Sequence, residues 1–522
     1  MFSVHVSEPA RDELSVGSSR SEGILLDVSD REEGQGKSLA QSAASGILVT
    51  MTGQVLRIAV QVLSVAILAR LLSPTDYGLL AMVAAVIGVA DIFRDFGLST
   101  AAIQAKTLSR AQRTNLFWIN SGIGLILAIA VFALAPVIAS IYRQPALVDI
   151  AQVLSVTFVL NGVATQYRAD LNRKLAFSTL AVADVASPIV ALGGAVWLAL
   201  SGAGLWALVG QQLIQYSVML VIVAWGARWL PGLPRTSVPM DGMLRFGWNI
   251  VVTQLINYVS NNADYFIIGL RSGAVALGNY SRAFQLLMNP LNQVRSPITR
   301  VAIPVLAKIQ DDDAAYGAFL LRGQVAMGHS LGFVLGVAAG AAAPITVLFL
   351  GGEEWSGVAP LLALLAVAGV FQILAFVGYW VYVTRALTFR LLQDSIFSSS
   401  VRLALILLGS QWGVIGVAVA YALAPALTWP ATFWWLSRFT TIPTRGLYLG
   451  ALRIVALSGV AVAASWLTTV WLQDAAAIVS ILAALLTAGL ACAVVCAALP
   501  PFRRDALAIL DVARRMARRS SR

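Results

Sequence analysis

Gln54, Arg57, Gln61 and Ser64 are spaced three, four and three residues apart inside an apolar tract. That spacing puts all four on one face of a helix. Two hundred residues on, without a gap, stand Gln254, Asn257, Asn261 and Asp264, and Gly78 meets Gly278 in the same register. A third stripe, Arg282, Gln285, Asn289, Asn292 and Ser296, has Arg295 beside it, and Asp91, Arg94 and Asp95 share a face of another tract. Arginines and amides in this arrangement can hold oxyanions and polyols, arginine through paired N–H donors. Asp91 and Asp95 can partly neutralise Arg94. Asp264, Asp91 and Asp95 are also candidates for a coupling-ion site. A network that only ties helices together would use the same residue types.

The elements that carry these groups lie in a membrane. Of the 522 residues, 58% are hydrophobic and 12% are charged, and the mean hydropathy is +0.80. A soluble chain carries about 25% charged residues. A charge at the centre of a bilayer costs about 2.5–3.5 kcal/mol on insertion scales, so the stripes must face each other or a hydrated cavity. Apolar tracts long enough to cross as helices recur from Leu39 to Leu499, without the alternation of a membrane barrel. The chain reads as an all-α polytopic membrane protein of about fourteen helices: 39–69, 77–101, 115–140, 147–169, 176–200, 203–227, 244–270, 274–305, 316–350, 357–384, 388–409, 412–437, 447–472 and 475–499. Pro290 and Pro297 are expected to bend the eighth.

Six helices separate the two matched stripes, so both copies enter the membrane in one direction. They should be related by an axis along the membrane normal. The expected body is two six-helix lobes, 39–228 and 244–437, joined by a linker at 229–243, with helices 13 and 14 (438–499) appended. A disordered tail (1–38) precedes them and a basic amphipathic tail (500–522) follows, with Phe502, Ala506, Ile509, Leu510, Ala513 and Met516 on one face. Even-numbered connections hold sixteen basic residues, among them Arg113, Lys174, Arg228, Arg385 and Arg438, against Arg70, Arg143 and Arg271 in the odd-numbered ones. The positive-inside rule then puts both termini in the cytoplasm. The basic excess sets topology, and nucleic acid need not be invoked.

No P-loop is present, and no His, Cys and carboxylate cluster suggests a metal, so neither metal nor cofactor is expected. Cys492 and Cys496 read as small apolar fillers, His329 as a packing residue alone in helix 9, "GGEEW" (Gly351–Trp355) as a solvated turn, and Asp311–Asp313 as a charge run facing water.

"LARLLSPTDYGLLAMV" (Leu68–Val83) followed by "DFGLSTAAIQ" (Asp95–Gln104), together with "NNADYFIIGLRSGAVALGNYSRAFQL" (Asn261–Leu286), resembles the Wzx-type polysaccharide flippases of the multidrug/oligosaccharidyl-lipid/polysaccharide exporter superfamily. The resemblance spans about Leu39 to Leu499. It implies a non-enzymatic, V-shaped, alternating-access transporter of the bacterial cytoplasmic (inner) membrane. Its substrate would be an oligosaccharide repeat unit on a polyprenyl diphosphate, flipped outward for lipopolysaccharide or exopolysaccharide synthesis. Membrane lipids, a polysaccharide polymerase and export machinery are the implied partners. Arg57, Arg94, Arg282 and Arg295 are the candidates for the diphosphate, with Gln54, Gln61, Asn257 and Asn261 beside them in one shared central cavity. A peptidoglycan lipid-precursor flippase and a multidrug exporter share the layout, although a drug exporter of cations would favour an acidic lumen. A membrane glycosyltransferase or polymerase would be expected to carry a large outer loop, which is missing here.

Overall fold

The computed structural model describes residues 52–95, 109–234 and 241–509, and every element among them is helical. The first half holds α1 (Thr52–Ala69), α2 (Pro74–Asp95), α3 (Arg110–Tyr142), α4 (Leu147–Arg173), α5 (Phe177–Leu200) and α6 (Trp206–Ala227). A helical stretch Asp241–Lys308 follows, broken at Gly273 (φ 79°, ψ −175°) into α7 (241–272) and α8 (274–308). Only glycine adopts such a φ without strain, and the break falls in the expected connection between the seventh and eighth helices. Next come α9 (Asp313–Gly340), α10 (Ala342–Leu350), α11 (Val358–Thr384), α12 (Thr388–Gly409), α13 (Gly413–Leu436), α14 (Thr444–Trp471) and α15 (Ala477–Ala498), then α16 (500–509). A helix occupies each of the fourteen expected places. Among the described residues ten spans are long and apolar enough to cross a membrane, one of them (Thr388–Leu436) taking in both α12 and α13, or eleven if α9 and α10 count as one bent span. The stretch that carries the polar stripes of α7 and α8 is not among them. The tail at 1–38 lies outside the described residues.

The ninth helix, expected as one rod over 316–350, turns by 78° between α9 and α10. Pro344 explains the corner: its ring clashes with the carbonyl four residues back, at Gly340, and removes a helical donor. At the start of α2, Ser73 Oγ accepts from the Asp76 N–H while Asp76 Oδ2 accepts from the Ser73 N–H, at 3.3 and 2.9 Å, which is a capping box with Asp in the third place. Asp76 therefore belongs to the helix, not to the loop.

The two halves repeat one packing scheme. In the first, α3 packs on α4, α5 on α6, and α4 on α6; in the second, α9 packs on α11, α12 on α13, and α11 on α13. An ion pair closes the same corner of each with its charges exchanged. Arg113 at the start of α3 meets Asp170 at the end of α4 at 2.8 Å, and Asp313 at the start of α9 meets Arg385 at the end of α11 at 2.6 Å. Asp312 caps α9 by accepting from the Ala315 N–H at 2.9 Å. Two residues of the acidic run therefore have structural roles beyond facing water.

The halves meet where α2 crosses the start of α8. A Cβ added at Gly78 would overlap the carbonyl oxygen of Ala274, and one added at Gly278 would overlap that of Pro74. The contact is reciprocal, because 78 pairs with 278 and 74 with 274 in the repeat. Trp355 is fully buried at this end, where its Nε1 donates to the Ala69 carbonyl at 2.8 Å, and Arg70 reaches the Leu348 carbonyl at the same distance. "GGEEW" is thus anchored by its tryptophan.

The last helices dock through glycine. Gly328, Gly332, Gly336 and Gly340 lie four apart on α9. Cβ atoms at the last two would stand 2.8 Å from the Ser458 carbonyl oxygen and 2.5 Å from that of Val462, both on α14. Small residues let two membrane helices approach to backbone contact. Asp505 of α16 then ties back to the bundle. Arg453 Nε of α14 donates to it at 2.6 Å, and His329 Nε2 of α9 lies 3.2 Å away. His329 is therefore not alone. Burial pushes the Asp505 carboxyl up, but the contacts with His329 and Arg453 outweigh this and hold it below the usual carboxylate range. Outside, Trp197, Leu200, Trp225 and Trp471 stand largely exposed, as lipid-facing and interfacial side chains do.

Candidate functional site

α8 contributes to the lining of two polar chambers. The first, about 350 Å³, lies between α1, α2, α5, α6 and α8, and is lined by Arg57, Gln61, Ser64, Gln211, Gln212, Gln215, Arg282 and Gln285, with Tyr77 at one wall. The 3–4–3 stripe on α1 turns its last three members into this space. Arg57 is exposed there and has no hydrogen bond or ion pair among the described residues. Arg282 is 6% exposed, and its guanidinium carbon sits 3.8 Å from the centre of the Tyr77 ring. Its Nε has no partner. A cation over an aromatic face is held electrostatically while keeping its other donors available. Gln211 Nε2 donates to Ser64 Oγ at 2.8 Å. Among the described residues, no acid lines the chamber.

The second chamber, about 610 Å³, lies between α7, α8, α11, α12 and α13. Arg295 enters it from α8, with Nη1 and Nη2 both 3.2 Å from Gln372 Oε1 and its Nε without a partner. Arg402 enters from α12 and donates to Asn261 Oδ1 at 2.9 Å. Asp394, also on α12, accepts from Thr432 Oγ1 at 2.7 Å. No described Arg or Lys lies within ion-pair distance of it. Phe376 and Tyr379 stack on this wall at 5.7 Å and 20°.

The candidate residues thus line two pockets that share α8 as a wall. Arg57, Gln61 and Arg282 line the first; Asn261 and Arg295 line the second. Gln54 lines neither; its Nε2 donates to Gln293 Oε1 across the halves at 2.6 Å. Asp264 is 1% exposed and accepts from the Tyr280 hydroxyl at 2.6 Å, with its Oδ1 unpartnered. Asp91 lies within electrostatic reach of Tyr258, whose hydroxyl donates to the Ala85 carbonyl on α2 at 3.1 Å. The side chains of Arg94, Asp95, Asn257 and Ser296 lie outside the described ones. No group of three His, Cys, Asp or Glu able to hold a metal occurs among the described residues.

Sequence reasoning missed Gln211, Gln212 and Gln215 on α6, Gln372 on α11, and Asp394, Ser398 and Arg402 on α12. The signal existed, since "QQLIQ" (Gln211–Gln215) and "QDSIFSSSVR" (Gln393–Arg402) put polar side chains into spans. In the 200-residue register Gln211 meets Gln411 but Gln212 and Gln215 meet Trp412 and Ile415, and Asp394, Ser398 and Arg402 meet Gly194, Leu198 and Gly202, so no matched stripe like that of α1 and α7 pointed to them.

A family model described as polysaccharide biosynthesis protein matches residues 67–360. The lipopolysaccharide biosynthesis protein WzxC of Escherichia coli (strain K12) is 27% identical over 398 residues, covering 74% of this chain and 79% of that protein. The succinoglycan biosynthesis transport protein ExoT of Rhizobium meliloti (strain 1021) is 26% identical over 306 residues, covering 58% and 62%. Among solved structures, the lipid II flippase MurJ in an inward closed conformation superposes with a TM-score of 0.65 at 12% identity, over 86% of this chain and 98% of that one. At that identity the likeness is one of fold.

Proposed function

The chain belongs to the polysaccharide biosynthesis protein family, and from that premise we propose that it flips oligosaccharide repeat units linked to a polyprenyl diphosphate from the inner to the outer face of the bacterial cytoplasmic membrane. The first chamber carries this reading. Among the described residues it offers two arginines, Arg57 and Arg282, no acid, and a set of glutamines, inside a polytopic membrane body. A diphosphate needs compensating cations, and a guanidinium supplies paired donors to it. The unpartnered groups on Arg57 and Arg282 suit an anion that comes and goes.

Alternating access fits the packing. In this reading the halves are lobes related by an axis along the membrane normal. The reciprocal Gly78–Ala274 and Gly278–Pro74 contact supports it, because equivalent residues meet one another only beside such an axis. With the basic loops inside, that contact lies at the outer end, so the conformation described is closed to the outside. A surface polysaccharide polymerase is the expected recipient of the product.

Complementation tests the proposal. Deleting the gene in its host should abolish surface polysaccharide while lipid-linked repeat units accumulate on the inner face. Loss of those lipid-linked units themselves would point to an earlier, synthetic step and refute the transport role.

A further inference from the structure

We infer that the two chambers divide one substrate between them: the second is the glycan subsite, built around Asp394, Tyr379 and Arg402, while the diphosphate stays with Arg57 and Arg282 in the first. The inference rests on the proposed function and adds to it which half of the molecule reads the sugar.

Charge separates the chambers. Among the described residues, the first has two arginines and no carboxylate. The second also has two, Arg295 and Arg402, but sets Asp394 among them. Arg295 already spends donors on Gln372 and Asn292, and Arg402 on Asn261. A diphosphate placed there would meet a carboxylate that no described cation offsets, so it favours the first chamber.

Surface chemistry separates them again. A pyranose has an apolar C–H face and a rim of hydroxyls that both donate and accept. Tyr379 is 38% exposed and stacked on Phe376, which presents a rigid flat face to the second chamber. In the first, the aromatic at the wall is Tyr77, which is 2% exposed and covered by Arg282. Around the second chamber, Asp394, Ser395, Ser398, Ser399 and Arg402 repeat on one face of α12. They supply a carboxylate acceptor, hydroxyls of either sense and a guanidinium donor, a complement to sugar hydroxyls. A volume of about 610 Å³ lies within the ~300–1,000 Å³ of small-molecule sites. α8 joins the spaces, with Arg282 and Gln285 facing one and Asn292 and Arg295 the other.

Two probes test this on full-length protein in lipid nanodiscs: undecaprenyl diphosphate without sugar, and the lipid-linked oligosaccharide extracted from the deletion host. Asp394→Asn and Tyr379→Ala should each weaken the glycan-bearing probe by about tenfold, the scale of one charge-assisted or stacked contact, and leave the sugar-free probe unchanged. Arg57→Gln should weaken both. Equal losses on both probes, or none on either, from the Asp394 and Tyr379 variants would overturn the division while the Arg57 result keeps the proposed function standing. If Asp394→Asn alters only the sodium or pH dependence of transport, the chamber is an ion site and the inference falls. Wild-type protein that binds neither probe would remove the proposed function and the inference together.

Discussion

Gly78→Ala is the substitution with the clearest predicted consequence for conformation. In the described state the added Cβ would overlap the Ala274 carbonyl oxygen and stand 2.9 Å from the Ala274 Cα. Carbon–carbon contacts settle near ~3.5–4.0 Å and the carbonyl oxygen stands closer still, so α2 and α8 must part by more than about 1 Å. Backbone meets backbone here, and no side-chain rotamer can absorb the strain. Overpacking of a tight contact costs about 1–3 kcal/mol. That cost falls on the closed state alone if opening separates α2 from α8, and it would move the closed-to-open ratio roughly 5- to 150-fold. Spin labels at Ser73 and Ser356, both beside the contact, report the distance by pulsed electron resonance. Gly78→Ala should shift the distribution toward longer separations, and Gly278→Ala should do the same, because the contact is reciprocal. An unchanged distribution in both, with unchanged thermal stability, would show that the crossing yields freely and is not the closure.

Arg57→Lys should keep partial transport, and Arg57→Gln should lose roughly 10- to 150-fold at limiting substrate, matching about 1.5–3 kcal/mol for one charged contact. Reconstituted vesicles with protein amount normalised provide the measurement, and a wild-type rate for Arg57→Gln would remove the binding role. Cysteines placed at Ser356 should label from outside the cell and at Ser109 from inside only; the reverse pattern would invert the proposed orientation. Asp505→Ala should free α16, seen as trypsin cleavage after Arg503 and Arg504 about tenfold faster, because a charge-assisted contact is lost. Since the Asp505 carboxyl is held below its usual range, wild-type docking gains its full contribution above ~pH 4, and the contribution fades as pH falls through the lowered value. A fluorescent label on α16 should report wild-type docking weakening as pH is lowered from 4 to 2, and docking that is unchanged at pH 2 would contradict this account.

How much the sequence alone determined is clearest at four places. The fourteen helical positions were legible because a bilayer demands long apolar helices with satisfied backbones, a constraint written locally. The stripes on α1 and α8 were legible because charge inside such a helix is costly enough to be meaningful. Gly78 and Gly278 were paired as copies, yet that they touch was invisible, since contact across an axis depends on how two halves close. The separation of the stripes into two chambers was decided in the same way. Which wall a side chain meets depends on helix rotation and on neighbours such as α6 and α12, which carry no matched polar stripe. Asp505 shows the limit most sharply. On sequence it was one acid in a basic tail, and only the return of α16 to the glycine-packed pair of α9 and α14 set it between His329 and Arg453. Periodicity and burial cost act within one helix and can be read along the chain; partners more than a hundred residues apart are chosen by packing, which only the assembled bundle performs.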